Sequence, residues 1–254
     1  MKTQKIKIVR KSKLYVVTLL ITLGMFTACS DSDDASGSIN QEEAAAETII
    51  NAMSPETGGA ITQTDEAVVK ASTIEDAAKQ TDEPTISCGV AYANEVTLAG
   101  TQGGVTYYVG ADWNWMLSCT VFGVPETFTM SFSSSRQYTS NRMTSDDDSV
   151  GEIAVSGLEL LSNVFVVNSE VINSGNQIST LGNGYDLNST INITISNLTY
   201  DKATLEILSG SANVSFSGTF NGTSSEIYGG TVEFLGSKNA VLNMNNGNSY
   251  PFSW

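Results

Sequence analysis

TINITISNL, Thr190 to Leu198, places Ile191, Ile193 and Ile195 on one parity and Asn192, Thr194 and Ser196 on the other. Successive side chains of a strand point to opposite faces, so this alternation reads as a strand with one buried and one solvated face. Working outward, ANVSFSG repeats the pattern with Val214 and Phe216, TVEF with Val232 and Phe234, and the C-terminus with Tyr250, Phe252 and Trp254. Upstream, VTYYVGADWNWMLSC aligns Val105, Tyr107, Val109, Ala111, Trp113, Trp115 and Leu117, with Tyr108 on the opposite parity. Turn-forming pairs fall between these runs: Ser174-Gly175, Asn183-Gly184, Ser209-Gly210, Asn221-Gly222 and Asn246-Gly247. Their spacing suits successive hairpins, the one around NNGN being the most secure, and leaves no room for crossover helices. The expectation is a mainly β chain: an antiparallel β-meander of about ten strands, forming an open barrel or a two-sheet sandwich.

Helical periodicity is confined to the region before residue 85. Asn40 and Glu43 form a capping box ahead of EEAAAETIINAM, which Ser54-Pro55 ends. A second helix is expected from about Thr64 to Gln80, with a break near Ser72-Thr73 because Ser72 with Glu75 offers another cap, in a stretch whose β-branched residues disfavour helix. These one or two short N-terminal helices read as a helical spacer, 41–84, before an antiparallel β domain, 85–254, of which they are expected to cover a face or an open end.

The N-terminus carries Lys2, Lys5, Lys7, Arg10, Lys11 and Lys13 without an acid, followed by an apolar run from Leu14 to Ala28. That run falls short of the roughly 20 residues of a spanning helix, and a basic start followed by a short apolar stretch describes a signal peptide, 1–28. Phe26-Thr27-Ala28-Cys29 resembles a bacterial lipobox, with Phe26 where Leu is usual. The resemblance implies cleavage before Cys29 and attachment of lipid to its thiol. Ser30, Asp31, Ser32, Asp33 and Asp34 resemble the acidic export signal of Bacteroidota-type lipoproteins at the outer face of the outer membrane. Residues 29–40 are then a lipidated acidic tether. The alternating segment over residues 150–254 resembles uncharacterised Bacteroidota lipoproteins, a likeness that implies no activity.

The chain has 12 basic and 27 acidic residues. Six of the basic ones precede Cys29 and no acid does, leaving a net charge of −21 from Cys29 onward. Such a surface repels phosphate backbones and argues against nucleic acid as a partner. Membrane attachment then rests on the lipid. With Cys29 assigned to lipid, Cys88 and Cys119 form an even pair in an exported chain, expected as a disulfide. Ile86, Cys88, Val90 and Tyr92 share a parity, as do Leu117, Cys119 and Val121, so both cysteines are expected on buried strand faces.

No histidine occurs in the chain, which removes the usual triads, Cys–His pairs and imidazole metal sites. No glycine-rich phosphate loop followed by Lys-Ser/Thr is present. Glu152, Glu159, Glu170, Glu206 and Glu233 are expected on strands, mainly at solvated positions. An enzyme is not expected. Ser145 to Ser149 gathers Asp146, Asp147 and Asp148 in an expected loop, where hard oxygen ligands suit Ca²⁺.

The aromatic stretch is the candidate binding feature. Trp113 and Trp115 offer a platform for sugar rings, with Tyr108 nearby and Asp112 and Asn114 to serve the hydroxyls; the competing reading puts both indoles in the core. The preferred expectation is a non-catalytic carbohydrate-binding module. The alternatives are an accessory subunit for another envelope protein and an open-barrel carrier of a small apolar ligand.

Overall fold

A computed structural model describes residues 40–79, 87–102, 104–159, 161–180 and 184–254. The signal peptide, Cys29 and the acidic export signal Ser30–Asp34 lie outside the described residues. The elements are α1 (Gln41–Met53), a 3₁₀ turn (Pro55–Thr57), α2 (Ala60–Lys79), then β1 (Ala91–Gln102), β2 (Val105–Cys119), β3 (Pro125–Thr139), β4 (Met143–Ser156), β5 (Val164–Ser179), β6 (Tyr185–Asp201), β7 (Ile207–Phe220), β8 (Ser224–Gly236), β9 (Asn239–Met244) and β10 (Ser249–Ser253). The ten strands form one antiparallel sheet in sequence order, and β1 and β10 do not pair to close it. The architecture is therefore the open meander; no second sheet packs on the first among the described residues.

Alternation sets the two faces. Ile191, Ile193 and Ile195 are buried, as are Val214, Phe216, Val232 and Phe234. Against this inner face pack the helices, whose apolar positions recur at helical spacing. In α1 these are Ala45, Ala46, Ile49, Ala52 and Met53; in α2 they are Ile61, Ala67, Val68, Ala71 and Ile74. Helices and sheet share one hydrophobic core. Of the two expected placements of the helices, a face or an open end, the structure has the face: the apolar stripes of α1 and α2 cover the inner side of the sheet. The second helix is corrected: it starts at Ala60 and runs unbroken to Lys79. Burial of Val68 and Ile74 overrides their modest helix propensity. Asn40 caps α1 as expected, its side chain accepting from the Glu43 amide at 3.4 Å.

Asn221-Gly222 turns β7 into β8 with φ of 48° and 69°, as a tight hairpin of primed type requires. Ser209-Gly210 and Ser174-Gly175 are not turns. Each lies inside a strand, β7 and β5, where the glycine admits a close neighbour. A Cβ on Gly175 would collide with the Asp147 carboxylate and the Asp146 carbonyl.

Inside the core, Arg136 Nη2 donates to Asp147 Oδ2 at 2.5 Å and Arg136 Nη1 to the Asn51 carbonyl at 2.9 Å. Gln177 Nε2 donates to the other Asp147 oxygen at 2.5 Å and Ser189 Oγ to Gln177 Oε1 at 2.9 Å. This chain of polar groups fixes the C-terminal end of α1 over β3–β6.

Candidate functional site

Among the ten strands, Arg136 is the only basic residue, and it points into the core. The outer face therefore carries hydroxyls, amides and carboxylates without a base, interspersed with exposed apolar side chains such as Val150, Ile172, Ile178 and Ile227. Register assembles them into rows that cross the strands. One row runs Tyr108, Gln137, Asp146, Asn176, Asn188 and Thr219 from β2 to β7. A second runs Ser135, Asp148, Ser174, Thr190 and Ser217.

Neighbours within these rows hydrogen-bond. Asn176 Nδ2 donates to Asn188 Oδ1 at 3.3 Å, Ser135 Oγ donates to Asp148 Oδ1 at 2.7 Å, and Ser174 Oγ and Thr190 Oγ1 are 3.1 Å apart. Such contacts hold the polar side chains in fixed positions while their remaining donors and acceptors face water.

Tyr108 is the aromatic of this face and is 51% exposed. Beside it lies an open depression of about 400 Å³ whose outward-facing lining includes Gln137, Asp146, Asn176 and Ile178. An exposed ring next to two amides and a carboxylate is the chemistry that a sugar requires: an apolar face to stack on and paired hydrogen-bonding groups for adjacent hydroxyls.

The residues expected from sequence divide between the two faces. Trp113 and Trp115 are 4% and 8% exposed, on the helix side of the sheet. Trp113 Nε1 donates to Gln63 Oε1 at 2.9 Å and Trp115 Nε1 to Asn94 Oδ1 at 3.1 Å. Trp115 also stacks on Tyr92 with ring centroids 4.3 Å apart and has Lys70 Nζ 4.8 Å from its ring centroid. Neither indole is a sugar platform; both are core. Tyr108, Asp112 and Asn114 occupy the outer face, so the sheet separates them from the tryptophans they were expected to serve.

The expected acidic loop is also corrected. Asp146, Asp147 and Asp148 are consecutive on β4, so their side chains alternate. Asp147 is buried against Arg136, and Asp146 and Asp148 face outward. The three carboxylates do not converge on one cation. Among the described residues no group of three or more such ligands comes together.

Cys88 and Cys119 are bonded, with Cα atoms 5.7 Å apart across 31 residues of sequence. The expectation holds for Cys119, which ends β2 and packs half-buried against the core, and is corrected for Cys88, which sits exposed in the turn before β1, outside any strand. The bond ties the start of the edge hairpin.

Of the acids expected on strands, Glu159 and Glu206 lie in connections, whereas Glu152, Glu170 and Glu233 are on the outer face. Glu152 directly faces Glu170 across β4–β5, and Glu95 faces Asp112 across β1–β2. Each pair sits side by side on one surface, not across a cleft as the two carboxylates of a glycosidase must. Opposed like charges weaken a sheet, so they are retained here at a cost in stability.

No family model, no curated protein and no solved structure matches this chain. The site must therefore be judged on its own geometry. Sequence reasoning missed Gln137, Asn176 and Asn188, which are 29 to 80 residues from Tyr108 in the chain and meet it only through the register of β2–β6. Their outward parity was visible in the alternation; their alignment in one row was not.

Proposed function

We propose that the protein is a lipid-anchored, surface-displayed lipoprotein that binds carbohydrate without catalysis, through the outer face of its sheet around Tyr108. The observation that carries the reading is the half-exposed Tyr108 ring in register with Gln137, Asp146, Asn176 and Asn188. The preferred ligand is an extended neutral or amino-bearing polysaccharide. Adjacent strands lie about 4.8 Å apart, close to the length of one sugar residue in an extended chain, so one row can meet successive sugars. The outer strand positions carry acids and no base, which disfavours uronic-acid and sulfated chains. The helices fill the inner face, so the reading as a carrier of an internal apolar ligand has little support.

Two experiments test this. The first screens the full chain against immobilised neutral, amino and anionic glycans beside Tyr108→Ala; retention of neutral or amino glycans, reduced by the substitution, is expected. The second addresses the anchor. Cys29→Ala is expected to move the protein from the membrane to the soluble fraction, and continued membrane retention counts against lipidation.

A further inference from the structure

The two edges of the sheet are built differently. β10 is short, Ser249–Ser253, and has Pro251 at its centre, which removes a backbone donor. β1 is twelve residues long and contains no proline, lysine or arginine. It pairs with β2 from end to end without a register shift, so no bulge twists it away. Sheet edges are normally blunted by shortness, proline, charge or bulges; β10 has two of these protections, whereas β1 has one carboxylate, Glu95. Among the described residues no strand pairs with the free side of β1. Its inward side chains Tyr92, Val96 and Leu98 pack on the core yet remain partly exposed.

We infer that β1 is a homodimerisation edge, pairing antiparallel with β1 of a second copy about a two-fold axis through Thr97. A second copy suits this edge because the residues of β1 are complementary to themselves. A two-fold axis normal to the sheet pairs each residue with one of the same parity, so the axis must pass through a residue position. Centred on Thr97, the register sets Val96 against Leu98 of the partner subunit and Leu98 against the partner's Val96. The two half-exposed apolar pairs then close over each other. Glu95 meets the partner's Ala99, so the strand's single charge never opposes itself, and Ala93 meets the partner's Thr101. Centring on Val96 would leave Leu98 against the partner's Asn94. Centring on Glu95 would oppose two carboxylates. The Thr97 register gives a continuous sheet in which both inner faces lie on the same side, and it leaves the Tyr108 face of each copy in one plane.

The inference is independent of the carbohydrate reading and is tested without a ligand. Sedimentation velocity of the full chain in detergent, corrected for bound detergent, is expected to give a concentration-dependent monomer–dimer equilibrium. A short thiol-bridging reagent is expected to join Thr97→Cys into a dimer whose mapped peptide links residue 97 to residue 97. Glu95→Cys alone should not bridge to itself, because it faces residue 99. A monomer at every concentration overturns the inference. So does an open-ended series of oligomers, which would indicate head-to-tail pairing of β1 with β10, and so does a dimer that bridges through residue 95 but not 97.

Discussion

Tyr108 and Trp113 lie five residues apart on β2 and point to opposite faces of the sheet, the phenol 51% exposed and the indole 4%. An odd separation along a strand forces that outcome. It divides the aromatic run into a packing half and a surface half, and the surface half is one tyrosine, not two tryptophans.

Fluorescence reads this division directly, because Trp113, Trp115 and Trp254 are the chain's three tryptophans. In Trp254→Phe, the two remaining indoles are expected to emit at blue-shifted wavelength and to resist acrylamide quenching. Red-shifted, efficiently quenched emission would place them at the surface.

The buried ion pair makes a second demand. Arg136 and Asp147 have side chains 3% and 0% exposed. Arg136→Met leaves Asp147 charged and unpaired in the core, and is expected to cost about 3–5 kcal/mol in urea unfolding. Arg136→Met with Asp147→Leu is expected to cost less than that single change, because no buried charge is left unpaired. Equal losses would show that the pair acts through packing alone.

Much of this fold is legible in the alternation of single residues. Ile191, Ile193 and Ile195 declare their face, and Asn221-Gly222 and Asn246-Gly247 declare their hairpins. The parity of Tyr108 against Trp113 is equally plain. Three things are not legible. Ser174-Gly175 looks like a turn, yet Gly175 is there to make room for Asp147, a contact made across strands. That the helices cover the inner face rather than an open end is not visible in their weakly apolar, alanine-rich stripes, because the choice depends on a sheet more than a hundred residues long. The polar row at Tyr108 depends on register, which bulges between Val167 and Ser169 and between Ser196 and Thr199 adjust locally in β5–β7.

A pH dependence follows from Asp65 and Tyr200. Tyr200 Oη donates to Asp65 Oδ1 at 2.8 Å, joining α2 to β6. Burial raises the Asp65 carboxyl from its ordinary 3.8 to about 6, with the Tyr200 hydrogen bond pulling the other way and Glu66 adding to the rise. The folded state therefore binds this proton more tightly than the unfolded chain. Its contribution to stability is fullest below the unfolded value and is lost as pH rises through the folded one. With allowance for its partial exposure, ionisation is expected to cost about 1 to 2 kcal/mol between pH 4 and 7. Asp65→Asn keeps an acceptor for Tyr200 and should gain on the wild type by that amount over this range. A constant difference between the two proteins from pH 4 to 7 would contradict the shift.

The most direct measurement of the central claim is the affinity of the full chain for the glycan that it retains best, compared with Tyr108→Ala and with Trp254→Phe. Stacking on an exposed ring contributes on the order of 1 kcal/mol beyond burial, so Tyr108→Ala is expected to weaken binding about tenfold with unfolding stability little changed. Trp254→Phe should bind as the wild type does. Unchanged affinity in Tyr108→Ala would contradict the account, and the outer face of the sheet would no longer be its binding site.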